Sequence, residues 1–121
     1  MCIRDRSGTV VELDQPKARI RELNDTLRRE MTGGRWLITP GVISLGQEAM
    51  MAAITAVQSF DAFTPDNDPY GEHDFGSVQV EGETLFWKID YLDNDREYAS
   101  PDPSNADLTE RILTLMLASE Y

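Results

Sequence analysis

The chain has 121 residues, of which 22 are acidic and 11 are lysine or arginine, so its formal net charge is −11. This length suffices for one compact domain with its own core, and a hydrophobic fraction of 40% excludes a wholly disordered chain. A surface this acidic repels phosphates, so direct nucleic acid binding is not expected.

The first nine residues are expected to be a non-native or disordered lead-in, because residues 1–6 read like translated adapter sequence. A single domain is expected over residues 10–121. No stretch approaches the roughly 20 apolar residues of a membrane helix, and no signal-peptide pattern is present. The one cysteine, Cys2, cannot form an internal disulfide. These features favour a cytoplasmic protein without membrane association.

The first predicted element is a helix that begins at Pro16. Asp14 is placed to cap its start, and the glycine pair at 33–34 is placed to end it. Arg28 and Arg29 are expected to be surface charges on this helix. Its apolar residues recur at spacings of three or four, as in one buried stripe: Ile20, Leu23, Leu27 and Met31.

A strand is predicted next, over residues 35–39, and residues 42–43 are expected to extend its pairing after a proline-glycine turn. A second helix is predicted over residues 45–60. Ser44 is its expected N-cap, and Gln47, three residues later, completes a capping-box pattern. The many alanines and methionines of this helix predict close packing against a sheet.

Two strands follow, over residues 75–80 and 83–92, and the dipeptide Glu81-Gly82 between them suits a tight hairpin turn. Alternation in the second strand separates two faces. The face expected to enter the core consists of Leu85, Trp87, Ile89 and Tyr91.

A last helix is predicted after a polar loop, with Asn105 or Asp107 as its cap and an apolar stripe along one side. The stripe consists of Leu108, Ile112, Leu115 and Met116. The predicted order is α-β-α-β-β-α. This order indicates an α+β fold, with a small, mostly antiparallel sheet of about three strands and about three helices mainly on one face.

Residues 67–76 are the strongest candidate for a functional site, because this loop concentrates acids, the one histidine and two glycines before a strand. Its side chains suit a divalent cation. The candidate metal ligands are Asp66, Asp68, Glu72, His73 and Asp74. A calcium EF-hand is excluded by spacing, since Tyr70 and Ser77 stand where that loop needs a ligand and a bidentate glutamate.

General acid–base catalysis by His73 is a second interpretation of the loop. The neighbours Glu72 and Asp74 cannot both orient its ring, because adjacent side chains on an extended chain point to opposite faces. The catalytic candidates are therefore His73, Glu72, Lys88 and Asp90, the last two brought near by the fold. A purely structural role, in which His73 holds the loop on the sheet, stays open beside it.

The stretches N-D-P-Y-G-E-H-D-F-G at 67–76 and W-K-I-D-Y at 87–91 resemble a family of small bacterial proteins catalogued only as a domain of unknown function. Shorter segments extend the resemblance from about residue 20 to the end of the sequence. The resemblance implies bacterial, cytoplasmic, often plasmid-borne proteins with an interaction or defence-related role. It implies no catalytic residue.

The leading hypothesis is a non-enzymatic protein-binding module that presents residues 67–76 and the adjoining hairpin to an unidentified protein partner. The candidate binding residues are Asp68, Tyr70, Gly71, Glu72, His73, Asp74 and Trp87. The first alternative is a metal-dependent hydrolase or nuclease-like enzyme with a carboxylate/His site and a divalent cation. The second is an acidic nucleic acid mimic with a defence-related role. The sequence leaves open whether the protein is an enzyme.

Overall fold

A computed structural model describes residues 15–121, so the expected lead-in at residues 1–9 and the Asp14 cap lie outside the described residues. The α+β class is confirmed. The helices and strands, in chain order, are α1 (Gln15–Glu30), β1 (Arg35–Ile38), α2 (Pro40–Ile43), α3 (Gln47–Gln58), β2 (Phe75–Val80), β3 (Glu83–Leu92) and β4 (Glu110–Leu117).

The four strands form one sheet in the order β1-β4-β3-β2. β1 pairs with β4 in parallel, and the other two pairings are antiparallel. The sheet is therefore mixed and mostly antiparallel, with four strands instead of the expected three.

The fourth strand corrects the prediction of a last helix. Asn105 does act as a cap, since its side chain accepts a hydrogen bond from the Asp107 amide, but the helix that follows is a short 3₁₀ turn, Ala106–Leu108. Residues 110–117 then form β4, in which Arg111, Leu113 and Leu115 are buried on one face. Because β4 lies between two strands and carries apolar residues on both faces, its pattern resembled a helical stripe.

The region before α3 also differs from the prediction. Residues 40–43 form the short helix α2 instead of extending the strand. Ser44 is the C-cap of α2 instead, and its hydroxyl donates to the Gly41 carbonyl oxygen at 2.8 Å. The N-cap of α3 is Gly46, which has no side chain to make a capping bond, so the expected capping box is absent at this helix.

The hairpin of β2 and β3 is confirmed, with both strands at their predicted bounds. Glu81 and Gly82 adopt φ angles of +52° and +84°, the left-handed pair that a two-residue hairpin turn requires. The expected core face of β3 is also confirmed, since Leu85, Trp87 and Ile89 are buried.

The hydrophobic core lies between this face of the sheet and the helices. Leu27 of α1, Ala53 and Val57 of α3, and Trp87 and Leu115 of the sheet are all fully buried in one cluster. The core therefore fixes α1 and α3 side by side on this face of the sheet, with α1 against β4 and α3 against β2. Within residues 15–121 no helix is long and apolar enough to cross a membrane.

Candidate functional site

Residues 61–74, called the acidic loop below, connect α3 to β2 without helix or strand. Asp68 organises this loop from within. Its Oδ1 accepts hydrogen bonds from the backbone amides of Glu72 and His73, both at 3.1 Å, and its side chain is only 6% exposed. Gly71 and His73 adopt left-handed φ angles of +68° and +56°, which wrap the chain around the carboxylate. A buried carboxylate with amide donors fixes the loop conformation.

Asn24 attaches the acidic loop to α1 and to the sheet. Its side-chain amide donates to the carbonyl oxygen of Glu72 at 3.0 Å and to the hydroxyl of Tyr91 at 2.8 Å. Its carbonyl oxygen accepts from Nε of Arg111 on β4 at 2.9 Å. Because Asn24 is fully buried with its donors and acceptor engaged, it joins the helix, loop and sheet in one network.

The ring of His73 is held on three sides. Its Nδ1 lies 2.9 Å from Oδ1 of Asp25 on α1. Its face stacks on Phe63, with centroids 3.8 Å apart and an interplanar angle of 2°. Its Nε2 lies 3.7 Å from Oδ2 of Asp68, longer than a hydrogen bond. The ring is thus flanked by two carboxylates from different parts of the chain.

Arg28 lies beneath this arrangement, and the expectation that it is a surface charge is wrong, because it is fully buried. Its guanidinium donates to the carbonyl oxygens of Val57 and Phe60 at the end of α3, at 3.0 and 2.8 Å. It also donates to Oδ1 of Asp25 at 3.0 Å. Burial lowers the pKa of Arg28, and Asp25 opposes that shift; the group stays charged because an arginine is not deprotonated in proteins.

Burial in low-dielectric surroundings shifts the pKa values of both Tyr91 and Asp74. Burial raises the pKa of Tyr91, whose hydroxyl donates to Oε1 of Glu72 at 2.8 Å and so acts as a neutral donor. Burial also raises the pKa of Asp74, and the nearby charge of Glu72 raises it further. Charge at this end of the sheet is therefore costly unless it is paired.

An open cleft of about 420 Å³ lies on the outer side of the acidic loop. Tyr70 stands at its edge with 69% of its surface exposed. The cleft is lined by Phe63, Thr64, Pro65, Asp68, Pro69, Tyr70, Gly71 and His73. It combines apolar walls with a carboxylate and an imidazole, as ligand-binding clefts commonly do.

Residues 38–120 match the family described as "Protein of unknown function (DUF3768)". The chain belongs to the DUF3768 family. The membership in a family of unknown function that the sequence implied is confirmed, and the matched residues hold the whole acidic loop and the sheet from the end of β1 onward. No curated protein and no solved structure matches the chain.

The match does not extend to α1. Asn24, Asp25 and Arg28, which hold the acidic loop of this DUF3768 chain in place, therefore lie outside the matched residues, as do the segments before residue 38 on which the resemblance was also based. The site combines the family segment with a helix that precedes it.

The structure divides the predicted site residues of this DUF3768 chain into groups. Four of them line the cleft, and these are Asp68, Tyr70, Gly71 and His73. Trp87 is fully buried beneath it and contacts it through Phe63, with ring centroids 6.2 Å apart. Lys88 and Asp90 lie on the opposite face of β3 from Trp87, where Nζ and Oδ2 pair at 3.2 Å.

The candidate metal ligands are distributed among different contacts. Asp68 is occupied by backbone amides, Glu72 by Tyr91, and Asp66 is exposed on the loop. Within residues 15–121 no three His, Cys, Asp or Glu side chains are arranged to hold a metal ion.

Sequence reasoning missed the contributions of α1, namely Asn24, Asp25 and Arg28. A signal was present: Asn24 and Arg28 are four residues apart and flank Leu27 on the buried side of the helix. Polar residues placed within a buried stripe must find polar partners elsewhere in the fold. Phe63, in contrast, gave no signal, because its stacking on His73 depends on the path of the loop.

Proposed function

We propose that this chain is a non-enzymatic protein-binding module and that its docking surface is the cleft formed by the acidic loop. One observation carries the proposal: an open cleft of about 420 Å³ is bordered by Tyr70, which is 69% exposed. Tyrosine is enriched at interfaces, where its ring supplies contact area and its hydroxyl a hydrogen bond.

The hydrogen bonds that anchor the acidic loop support the same function. A connection of this length without regular structure is uncommon in a compact domain and is usually functional or disordered. This loop is held by Asp68 from within and by Asn24 from α1, both buried. A surface that is already ordered loses less entropy on binding.

The charged groups around the cleft support binding more than chemistry, because they mostly engage one another. Asp25 contacts both His73 and Arg28, and Glu72 accepts from Tyr91. The resemblance to small bacterial proteins supports a bacterial cytoplasmic setting, which is part of the proposal.

Site-specific photocrosslinking tests this function. A photoreactive phenylalanine analogue replaces Tyr70 in one variant and Tyr98 in another, because Tyr98 is equally exposed at 72% but lies in the loop after β3. In extracts of the organism that carries the gene, we expect discrete protein adducts from position 70 and none of comparable yield from position 98. Absence of adducts at position 70 would contradict the proposal. Equal yields from both positions would instead favour a diffuse acidic surface, such as a nucleic acid mimic presents.

A second candidate function is acid–base catalysis by His73, which the 2.9 Å contact of Nδ1 with Asp25 favours. A carboxylate on one ring nitrogen fixes the tautomer and leaves the other nitrogen to accept a proton. Hydrolysis of ester and phosphodiester substrates, with and without Mg²⁺, Mn²⁺ or Zn²⁺, tests it. If His73 is catalytic, turnover must disappear in both the His73→Asn and the Asp25→Asn variants. A wild-type turnover no higher than that of His73→Asn excludes catalysis by His73.

A further inference from the structure

Two hydrogen-bond acceptors lie side by side in the cleft. Since Asp25 can only accept, a neutral His73 ring carries its proton on Nδ1, 2.9 Å from that carboxylate. Its Nε2 then presents a lone pair, 3.7 Å from Oδ2 of Asp68. Both residues line the cleft. Among residues 15–121, no hydrogen-bond donor serves both Oδ2 of Asp68 and Nε2 of His73.

Asp68 has capacity for such a donor. Its Oδ1 accepts from the amides of Glu72 and His73 at 3.1 Å, whereas its Oδ2 has only a longer contact of 3.3 Å with the His73 amide. A carboxylate offers about four lone-pair directions, so Oδ2 can accept one more hydrogen bond. A group with at least two N–H donors can bridge Oδ2 and Nε2, and ammonium and guanidinium groups are of this kind.

The walls and charge of the cleft suit the rest of such a side chain. Pro65, Pro69 and the rings of Phe63 and Tyr70 line it, and these surfaces can pack against a hydrocarbon stem or the face of a cation. Residues 61–74 hold five acids and no lysine or arginine, within a chain of net charge −11. The acids of the loop therefore favour a cation at the cleft, and the nearest described cation at its wall, Arg21 of α1, is engaged with the carbonyl oxygen of Gly71 at 3.2 Å.

We propose that the cleft receives the ammonium or guanidinium group of a lysine or arginine side chain on the partner protein, held between Asp68 Oδ2 and His73 Nε2. This inference rests on the proposed protein-binding function and names the chemistry of the partner.

The bridge uses the lone pair of Nε2, while Nδ1 of the same ring donates to Asp25. The charged groups that face the ring are Asp25, with Arg28 behind it, from α1, and Asp68 from the loop. The sheet reaches this region through Tyr91, whose hydroxyl is bonded to Glu72 and stays neutral.

Amide chemical shifts of the labelled protein report this binding directly. The probes are N-acetyl-arginine amide and N-acetyl-lysine amide, with the neutral N-acetyl-citrulline amide as control. We expect saturable chemical-shift changes at Gly71 and His73 with both cationic probes. The citrulline probe should bind about tenfold more weakly, because it loses one charge-assisted hydrogen bond. Binding of only one of the two cationic probes supports the inference and shows whether the partner side chain is a lysine or an arginine. Equal binding of citrulline, or no saturable shift with either cation, overturns it.

Two variants with the same change of charge locate the cation. Asp68→Asn keeps an oxygen for the loop amides but removes the anion, and Asp66→Asn removes an exposed anion from the same loop. We expect Asp68→Asn to weaken binding of the arginine probe by about tenfold and Asp66→Asn by less than about twofold, because an exposed charge is screened. Equal losses would overturn the bridge between Asp68 and His73.

A substitution of the ring separates a role of His73 from general electrostatics. His73→Asn removes the Nε2 acceptor and leaves every acid of the loop in place, and asparagine tolerates the left-handed φ of this position. We expect it to bind the arginine probe about fivefold more weakly, the loss of one hydrogen bond. An affinity equal to that of the wild type would overturn the inference.

The inference and the proposed function fail in distinguishable ways. Adducts at position 70 without any preference for the cationic probes would uphold protein binding and overturn the cation site. Saturable cation binding without adducts at position 70 would uphold the cation site and overturn protein docking at the cleft.

Discussion

Arg28 is the residue on which the site and the core both depend. Its buried guanidinium joins the end of α3 to Asp25, and Asp25 in turn orients His73. It also lies 5.4 Å from the ring centroid of Phe63 and 5.5 Å from that of Trp87. A cation buried among aromatic rings and carbonyl oxygens is stabilised only while all its partners are in place.

Replacing Arg28 by methionine is therefore expected to lower the free energy of unfolding by about 3 kcal/mol, since carbonyl oxygens and Asp25 lose their donors. Urea denaturation measures this change. Arg29→Met is the matched control, because Arg29 is the next residue on the helix and is exposed. Its effect is expected to stay within about 0.5 kcal/mol. Equal losses in both variants would contradict the buried role of Arg28.

Asp74 is expected to destabilise the folded protein at neutral pH. Its pKa in the folded state is raised by burial first and by the charge of Glu72 second. The folded state therefore binds the proton more readily than the unfolded chain. The resulting penalty is present at neutral pH and disappears as the pH falls through the raised pKa.

Asp74→Asn should accordingly raise the free energy of unfolding at pH 7 by about 0.5 kcal/mol, an amount limited by the solvent that still reaches this half-buried group. The gain should shrink as the pH falls through the raised pKa of Asp74 and vanish below the ordinary aspartate value of 3.8, where both the folded and the unfolded states hold the proton. Denaturation of both proteins at pH 7 and at about pH 3 provides the measurement, with Asp66→Asn as an exposed control. A gain of the same size at both pH values would exclude the ionisation of Asp74 as its cause.

The sequence made His73 a candidate site residue but gave no indication of its partner Asp25. The ring was a candidate because it is the one histidine and lies in an acid-rich loop. Asp25 could not be assigned to it, since the two residues are 48 positions apart and meet only when α1 packs beside the loop. Lys88 and Asp90 were expected to be brought to the ring by the fold, but strand alternation places them on the face of β3 opposite to Trp87.

The secondary-structure elements differ in whether the residues of the segment alone indicate their type. The hairpin of β2 and β3 was predicted to the residue, because alternation and the turn residues Glu81 and Gly82 lie within the segment itself. β4 was assigned to a helix, because its character depends on two neighbouring strands that cover it on both sides. Central strands lack the clean alternation that marks a half-exposed strand.

Gly76 in β2 is required by the packing of this hairpin. A Cβ atom at this position would lie 2.5 Å from Nε1 of Trp87, which pairs with Gly76 across the hairpin. Gly76→Ala is expected to lower the free energy of unfolding by about 2 kcal/mol, because the buried indole has little room to move. Thermal unfolding followed by circular dichroism tests this. Ser77→Ala, on the exposed face, should change it by less than about 0.5 kcal/mol, and a similar loss there would contradict the steric explanation.

In the whole molecule, stability should be highest at the two central strands. β3 and β4 are hydrogen-bonded on both sides, and Leu85, Trp87, Leu113 and Leu115 on them are fully buried. We expect their amides to exchange with deuterium most slowly, at rates set by global unfolding, and those of the edge strand β1 to exchange much faster. Native-state hydrogen exchange measures this order. Slower exchange in α3 than in β4 would contradict it.

The position of β4 has a consequence for folding during synthesis. β4 lies between β1 and β3 and is the last of the four strands to leave the ribosome. Until it emerges, β1 and β3 each have an unpaired edge. Arg111 on the same strand also completes the contact with Asn24 that fixes α1. The nascent chain can form the hairpin early, but it cannot close its sheet until residues 110–117 have emerged. Until then its open strand edges are suited to pairing with other chains, and rapid translation of this last strand shortens that exposure.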